Sequence, residues 1–323
     1  MNLFGAREKG LNLAGLFAVW AILFLRVSIA HSGGAGFSGA EFLNIGAGSR
    51  AVGMGGAFSA IVDDPSACYW NPAGLTNIRG SALLVQHIEH FMDIKYEYAA
   101  YSMPIGERRA LGFSISYMHM GSILQYDAND TPLGDFRAYD LAYGVSFGYG
   151  INENISLGLG AKNINQILGD VKTQGWAFDT GLLFKLRSVN ASLAVGNFGS
   201  SLKYELESAS LPTEMRLGLA YSSPTYPLIL TTEYGYSRDG TTRAALGAEY
   251  DFLEGFSLRS GYDFRGVGLD NGDLSFGCGI KMWNQQFDYA YLPNVLWGDS
   301  HRVSATFNLS QKQWRLTESN GMI

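Results

Sequence analysis

The sequence predicts an all-β fold, a transmembrane antiparallel β-barrel of about 14 strands with an N-terminal plug in its lumen. One observation is a period-two alternation of large apolar and small or polar residues from Ala82 onward. Another is composition, since 41 of the 323 residues are Gly and only 16% are charged, against about 25% in average proteins. After the first thirty or so residues no apolar run is long enough for a membrane-spanning helix. The net charge of -6 provides no basic surface for nucleic acid.

The first element, residues 1–30, has the features of a signal peptide. Arg7 and Lys9 form a basic start, Leu11–Leu25 is apolar, and Ser28-Ile29-Ala30 has the small-x-small form of a cleavage site. A retained membrane anchor is the alternative, because Arg26 interrupts the apolar run. On either interpretation we expect the remaining chain to leave the cytoplasm and, as a β-barrel, to reside in a Gram-negative outer membrane.

Residues 31–80 form the second element, which we call the hatch. Its central part is dense in Gly and Ala and lacks alternation, which suits a segment threaded through a barrel and in contact with the lumen or periplasm. Its charged residues are expected to pair with charges of the lumen, and its Asn-Pro-Ala-Gly sequence predicts a turn, because Asn tolerates αL and Pro fixes φ. The predicted hatch residues are Arg50, Asp63, Asp64, Asn71, Pro72, Ala73 and Gly74.

A Gly-x-Gly stretch at Gly46–Ala51 resembles a loose dinucleotide fingerprint. No predicted strand leads into it, no βαβ unit follows, and no acidic residue stands at the required place after a second strand. The sequence therefore predicts no nucleotide and no other cofactor.

The third element, residues 81–310, holds the predicted barrel. Apolar side chains large enough to face lipid alternate there with Gly, Ala, Ser and about one charge per strand, so we expect the apolar face to be outside. Connections alternate between short and mostly longer, as periplasmic turns and extracellular loops do. The predicted strands lie near 82–88, 96–104, 110–118, 139–149, 155–166, 175–186, 190–197, 213–221, 228–236, 242–251, 256–264, 274–282, 287–292 and 301–309.

Residue parity then assigns charged side chains to the lumen. Acidic and basic side chains nearly balance, which favours a lumen that pairs with itself or with a plug over an ion-selective pore; the alternative is that these groups only line water. The predicted lumen acids are Glu97, Asp140, Asp179, Glu214, Glu233, Glu249, Asp263 and Asp288, and the bases are Lys162, Lys185, Arg216, Arg243, Arg259, Lys281 and Arg302.

Motifs for catalysis or metal binding are weak. His87 and His90 stand three apart at the end of a strand, where such residues face opposite ways, so no zinc site is expected. His119 has no recognisable acid and nucleophile around it. We therefore expect no catalytic residue, no metal and no enzymatic activity. Cys68 in the hatch and Cys278 on the lipid face are expected to be free thiols.

Two stretches carry a resemblance to a known family. LNIGAGSRAVGMGGAFSAIVDDPSACYWNPAGL resembles the N-terminal signature of PorV/PorQ-type outer-membrane proteins, within the FadL-like barrel superfamily, and FDYAYLPNVLWGDSHRVSATFNL resembles their last hairpin. The resemblance implies a 14-stranded barrel plugged by the hatch, with the Asn-Pro-Ala turn part of that hatch. The chain departs from such barrels in its polar tail, residues 311–323, because they usually end on an aromatic residue of the last strand.

Two functions follow as expectations. The PorV/PorQ resemblance implies a component of type IX protein secretion with secretion-system partners or cargo, whereas the wider superfamily implies a transporter of hydrophobic small molecules. In both cases lipid of the outer membrane surrounds the barrel. The apolar loop residues expected to capture a ligand or a protein partner are Ile123, Leu124, Tyr126, Val295, Leu296 and Trp297.

Overall fold

The computed structural model describes residues 38–89, 94–121, 123–127, 129–205, 207–265, 272–293 and 299–309. The predicted signal peptide 1–30, the tail 311–323, His90 and Val295–Trp297 lie outside these residues. Within the described residues, 14 antiparallel strands form one closed barrel, which confirms the predicted fold class and strand number. No helix among the described residues is both long and apolar enough to cross a membrane.

Each barrel strand pairs with its neighbours along the chain, and the last strand closes on the first. Two further hairpins, β4–β5 and β10–β11, stand in the long loops and form sheets of their own. The strands are β1 Ala82–Glu89, β2 Lys95–Pro104, β3 Arg109–His119, β4 Ile123–Tyr126, β5 Pro132–Phe136, β6 Ala138–Gly150, β7 Ile155–Leu168, β8 Val171–Leu186, β9 Val189–Gly199, β10 Leu202–Tyr204, β11 Glu207–Ala209, β12 Glu214–Ser222, β13 Leu228–Ser237, β14 Thr242–Leu253, β15 Phe256–Arg265, β16 Gly272–Met282, β17 Gln285–Leu292 and β18 Ser300–Asn308.

The connections define a short-turn end and a long-loop end of the barrel. The β3–β6 and β9–β12 connections carry the two extra hairpins at the long-loop end. The predicted strands 155–166 and 175–186 end too early at the connection between them, because β7 and β8 extend to a two-residue turn at Gly169-Asp170. Gly169 has φ +60°, a conformation that suits glycine in such a turn.

Most strands place their large apolar side chains on the outer surface, as predicted. Phe113, Ile115 and Val145, for example, are exposed on the outside, whereas Ser116 and Ser146 on the opposite face are buried. A wall of this kind meets lipid, which solvates apolar side chains and excludes charges.

The first half of strand β2 reverses this arrangement. Tyr96 and Tyr98 point inward and are buried, and Tyr98 packs edge-on against Tyr69 of the hatch with ring centroids 6.4 Å apart. Glu97 consequently lies on the outer face, where its carboxylate is 2.8 Å from Nδ1 of His87. The predicted inward position of Glu97 is therefore wrong, because alternation alone does not reveal that the hatch offers the tyrosines an apolar partner.

The hatch enters at the long-loop end, where Ser38 bridges Ser210, and runs through the lumen to Ala82 at the short-turn end. It contains short helices at Glu41–Asn44, Ser49–Gly53, Ala67–Trp70 and Pro72–Asn77. The last of these begins as its sequence predicts, since the Asn71 side chain accepts a hydrogen bond from the Ala73 backbone N–H at 3.1 Å and Pro72 occupies the first turn.

Glycines on the inner wall let the hatch backbone approach closely. A Cβ atom on Gly158 would lie 2.1 Å from the backbone nitrogen of Ala73, and one on Gly261 would lie 1.9 Å from that of Gly55. Neighbouring glycines complete two cradles, one under the Asn71–Ala73 backbone and one under Gly53–Gly55. They are Gly148, Gly158 and Gly181 in the first, and Gly247, Gly261 and Gly277 in the second.

We expect Gly158→Ala to unseat the hatch while the barrel still closes, because the added methyl group overlaps hatch backbone and leaves the lipid-facing surface unchanged. The unfolding free energy should fall by about 1–3 kcal/mol, which would lower the unfolding midpoint in detergent. A loosened hatch should also raise the ion conductance in planar bilayers. Gly196→Ala is the matched control, because its Cβ would meet its nearest atom at 3.6 Å. Parental conductance and stability in Gly158→Ala would contradict the close contact.

Candidate functional site

Charged side chains of the lumen wall hold the first helix of the hatch. Arg50 makes two parallel hydrogen bonds to the Glu249 carboxylate, both 2.8 Å, and a third contact of 2.6 Å to Asp63. Glu249 also accepts from Arg259 at 2.5 Å, and Arg259 donates to Asp288 at 2.8 Å. A chain of alternating charge therefore runs from the hatch across β14, β15 and β17.

A second charged group faces the middle of the hatch. Arg243 lies 2.8 Å from Asp263 and 3.5 Å from Glu233, and it donates to the Gly55 carbonyl at 2.6 Å. Glu233 accepts the Ser59 backbone N–H at 2.9 Å. These wall charges thus pair with one another and also satisfy hatch backbone groups that would otherwise be buried without partners.

Arg216 joins the same group of charges to the aromatic part of the hatch. It contacts Glu214 at 2.7 Å and donates to the Tyr69 carbonyl at 3.2 Å. Its guanidinium carbon lies 5.2 Å from the ring centroids of both Tyr69 and Trp70, within the range of a cation–π contact. Burial beside these rings makes Arg216 part of the seat for the hatch.

Two more wall cations have partners of different kinds. Lys162 lies 3.0 Å from Asp179, next to a register irregularity between β8 and β9. Arg302 donates to the Ile45 carbonyl of the hatch at 2.6 Å. Both contacts keep a cation of the inner wall from facing the lumen without a protein acceptor.

The remaining predicted residues divide by position. Asp63 pairs with Arg50 inside the hatch and not with a wall charge, and the Asp64 carboxylate accepts the Ser66 backbone N–H at 2.8 Å. Lys281 is exposed near the short-turn end. Asp140 accepts a hydrogen bond from Gln166 at 2.7 Å. The lumen charges are therefore not equivalent, because only some of them contact the hatch.

Uncharged side chains add contacts that charge patterning does not indicate. The backbone N–H groups of Gly48, Ser49 and Gly55 donate to Gln86, Ser304 and Ser275 at 2.5, 3.0 and 3.0 Å. Ser and Gln on an inward face are so common in barrel sequences that only the position of the hatch shows which of them bind it. The Asn71 side chain likewise donates to the Ser59 and Leu182 carbonyls, both at 3.1 Å, and so ties the predicted turn to β8.

Both cysteines are free, as predicted: Cys68 is buried in the hatch and Cys278 is exposed on the outer face. Burial raises the pKa of the Cys68 thiol to about 12, so the thiol stays protonated and unreactive. Among the described residues, no group of three or more His, Cys, Asp and Glu side chains is placed to hold a metal ion.

Two cavities lie at the long-loop end, on either side of the hatch segment that begins at Ser38. We call the larger one, about 660 Å³, the polar cavity, because charges of both signs line it, among them Glu214, Arg216, Arg243 and Asp263. We call the smaller one, about 450 Å³, the apolar cavity. Ser38 and Glu41 line both, so the hatch segment separates them.

The apolar cavity lies between the hatch, β3, β6, β7 and the β10–β11 hairpin. Hydrophobic side chains dominate its lining, and the polar groups are few. The apolar and aromatic lining residues are Ala40, Phe42, Ile94, Met118, Met120, Ala138, Tyr139, Ile167, Leu168, Tyr204 and Ala209. Such a pocket suits a small hydrophobic molecule.

The closed barrel of 14 strands with an N-terminal segment seated in its lumen is a plugged β-barrel of the FadL-like fold, and solved structures of that fold match the chain. A Pseudomonas aeruginosa FadL homologue matches with a TM-score of 0.59 at 13% identity, over 82% of this chain and 98% of that one. The Ralstonia pickettii toluene transporter TbuX matches with a TM-score of 0.58 at 14% identity, over 81% and 97%. The CymD monoaromatic hydrocarbon channel matches with a TM-score of 0.58 at 14% identity, over 81% and 96%.

No protein-family model and no curated protein sequence matches the chain. At 13–14% identity the structural matches establish the fold. They lend no support to the PorV/PorQ subgroup in particular.

Replacing Arg50 by Gln should loosen the hatch, because Glu249 then keeps only Arg259 as a counter-charge in a buried setting. We expect a loss of about 3 kcal/mol in unfolding free energy, measured by denaturant unfolding of the refolded protein, together with higher conductance. Asp63→Asn is the control. Because the Asp63 side chain is 51% exposed, removing its charge should lower the unfolding free energy by less than about 1 kcal/mol. Equal effects of the two variants would show that the Glu249 pair does not anchor the hatch.

The hatch should also lose stability as the pH rises. Burial, and then the neighbouring Asp63, raise the pKa of Asp64 from 3.8 to about 6. The folded state therefore holds this proton more tightly than the unfolded state, so stability falls as the pH increases from about 4 to about 6, by at most about 3 kcal/mol.

Asp64→Asn keeps an oxygen acceptor for Ser66 and removes the charge. Its unfolding midpoint should accordingly vary less than the parent's between pH 4 and pH 7. An identical pH dependence in the two proteins would assign the effect to other groups.

Proposed function

We propose that this protein is an outer-membrane channel that admits small hydrophobic molecules from the cell exterior. The apolar cavity at the long-loop end, closed below by the hatch, carries the proposal. The likeness of the fold to barrels described as toluene transporters and as a monoaromatic hydrocarbon channel supports it. The loops at the long-loop end are taken as extracellular, as in other outer-membrane barrels.

In the proposed path a solute enters between the β10–β11 hairpin and the hatch and rests in the apolar cavity. Phe42 of the hatch lines that cavity and is itself buried, so movement of the first hatch residues changes the size of the cavity. The solute then leaves through the lumen or sideways through the wall once the hatch shifts. The barrel residues 81–310 act as the container and residues 31–80 as the gate, after removal of residues 1–30.

The hatch residues divide into a latch and a pivot in this proposal. Arg50 is the latch, because its bonds to Glu249 join it to β14 on one side of the lumen. The Asn71–Gly74 turn is the pivot, because glycines of the wall and the Asn71 amide hold it on the other side. Breaking the latch frees the upper part of the hatch while the pivot stays seated.

The secretion role rests on the two sequence stretches that resemble PorV/PorQ-type proteins, and none of the three solved structures compared above is described as a secretion component. The apolar cavity favours a small molecule over a protein domain, since about 450 Å³ accommodates one ligand of modest size. We therefore take transport as the function of the chain.

Filling the apolar cavity should block transport. Ala138 lines the cavity at the start of β6, and Ala138→Trp should reduce toluene uptake into proteoliposomes by about tenfold by occupying the space that the solute needs. The matched control is Ala99→Trp, on the outer face of β2 opposite Val85 and Ile115. Toluene uptake equal to that of protein-free liposomes in the parent, or unchanged uptake in Ala138→Trp, would contradict the proposal.

A further inference from the structure

Among the described residues, the charged side chains that line the apolar cavity are of one sign. They are two carboxylates, Asp140 of β6 and Glu41 of the hatch, and this described lining contains neither Lys nor Arg. The polar cavity on the other side of the hatch segment differs, since Arg216, Arg238, Arg243 and Arg302 stand among its acidic residues. A solute in the apolar cavity thus meets negative potential within apolar walls.

Asp140 differs from six other inward carboxylates of the wall. Asp179, Glu214, Glu233, Glu249, Asp263 and Asp288 each have a Lys or Arg nitrogen within 4.0 Å. No Lys or Arg of the described chain comes that close to Asp140, whose hydrogen bond from Gln166 engages Oδ1. A partly buried carboxylate without a counter-ion is costly, and a cation delivered by a ligand would relieve that cost.

The neighbours of Asp140 hold it in place. The Tyr204 hydroxyl donates to the Gln166 amide oxygen, and the Gln166 amide nitrogen donates to Asp140. Tyr204 belongs to the β10–β11 hairpin that covers the cavity. The carboxylate is therefore oriented by the wall and by the loop hairpin together, before any ligand arrives.

Aromatic rings complete the surroundings. Tyr204 and Phe42 line the same cavity as Asp140. A pocket with one carboxylate among aromatic and aliphatic side chains suits a ligand that joins a protonated amine to a hydrophobic group. The carboxylate would accept a charge-assisted hydrogen bond from the ammonium group, and the rings would make cation–π contacts with it.

We propose that the apolar cavity selects hydrophobic amines, with the ammonium group on the Asp140 carboxylate and the apolar body against Phe42 and Met118. This inference rests on the proposed function and narrows its substrate class. The Gln166 amide keeps Oδ1 occupied, which leaves Oδ2 of Asp140 for the ligand. Glu41 adds a second negative charge at the boundary with the polar cavity.

The test compares benzylamine, benzyl alcohol and toluene, which share one ring and differ in a single group. Binding to the full-length protein in detergent is measured at neutral pH by equilibrium dialysis, and uptake is measured in proteoliposomes. We expect benzylamine to bind about tenfold or more tighter than benzyl alcohol and toluene. Asp140→Asn should abolish that preference, so that benzylamine binds this variant no more tightly than benzyl alcohol and toluene do.

Asp135→Asn, which removes an exposed carboxylate of β5 outside the cavity, should behave as the parent. Equal binding of the three probes, or a benzylamine preference that survives Asp140→Asn, would overturn the amine assignment while toluene uptake still supports a hydrophobic channel. Absence of uptake for every probe in the parent would overturn the proposed function itself. A shift in gel mobility between unheated and heated samples will check that the barrel of each variant is folded.

Discussion

The contact on which the rest of the molecule depends is the seating of the hatch against the inner wall. A barrel in lipid must turn its polar side chains inward, and the inward charges of this one are too close together to remain without partners. The hatch supplies Arg50, backbone N–H groups and backbone carbonyls to them. Glycines opposite Ala73 and Gly55 let the two backbones meet where any side chain would hold them apart. The small and charged residues of the inner wall and the seated position of the hatch therefore depend on each other.

The seated hatch also determines the chemistry of the lumen at the long-loop end. Its first segment divides the long-loop end into a cavity with charges of both signs and a cavity with apolar walls. On one side the wall charges form ion pairs with one another, and Arg243 and Arg302 also donate hydrogen bonds to hatch carbonyls. On the other side Asp140 keeps a carboxylate without a cation among the described residues. The division therefore separates two chemistries within a single lumen. In the proposed function the hatch is both the barrier to passage and part of the binding surface.

Much of the wall follows from alternation, because lipid on one face and a crowded lumen on the other impose opposite demands on successive residues. The strand number, the outward position of Phe113 and the inward position of Gly158 all follow from it. One exception arises where the hatch intervenes, and another at the β7–β8 turn. Tyr98 turns inward on β2 because Tyr69 packs against it, and Glu97 is consequently displaced to the outer face. The β7–β8 turn is shorter than its sequence suggests, because both strands stay paired beyond the residues in which apolar and small side chains alternate.

The sequence by itself determined the class of fold, the inward location of most charges and the existence of an N-terminal plug, because each depends on periodicity or composition. Only the tertiary structure decided which charges hold the plug, since Arg50 and Glu249 are 199 positions apart and no local pattern relates them. It also decided that Asp140 faces an apolar cavity while Asp263 faces Arg243. Both are inward acids by parity, and their difference comes from the residues that closure of the barrel and seating of the hatch bring beside them.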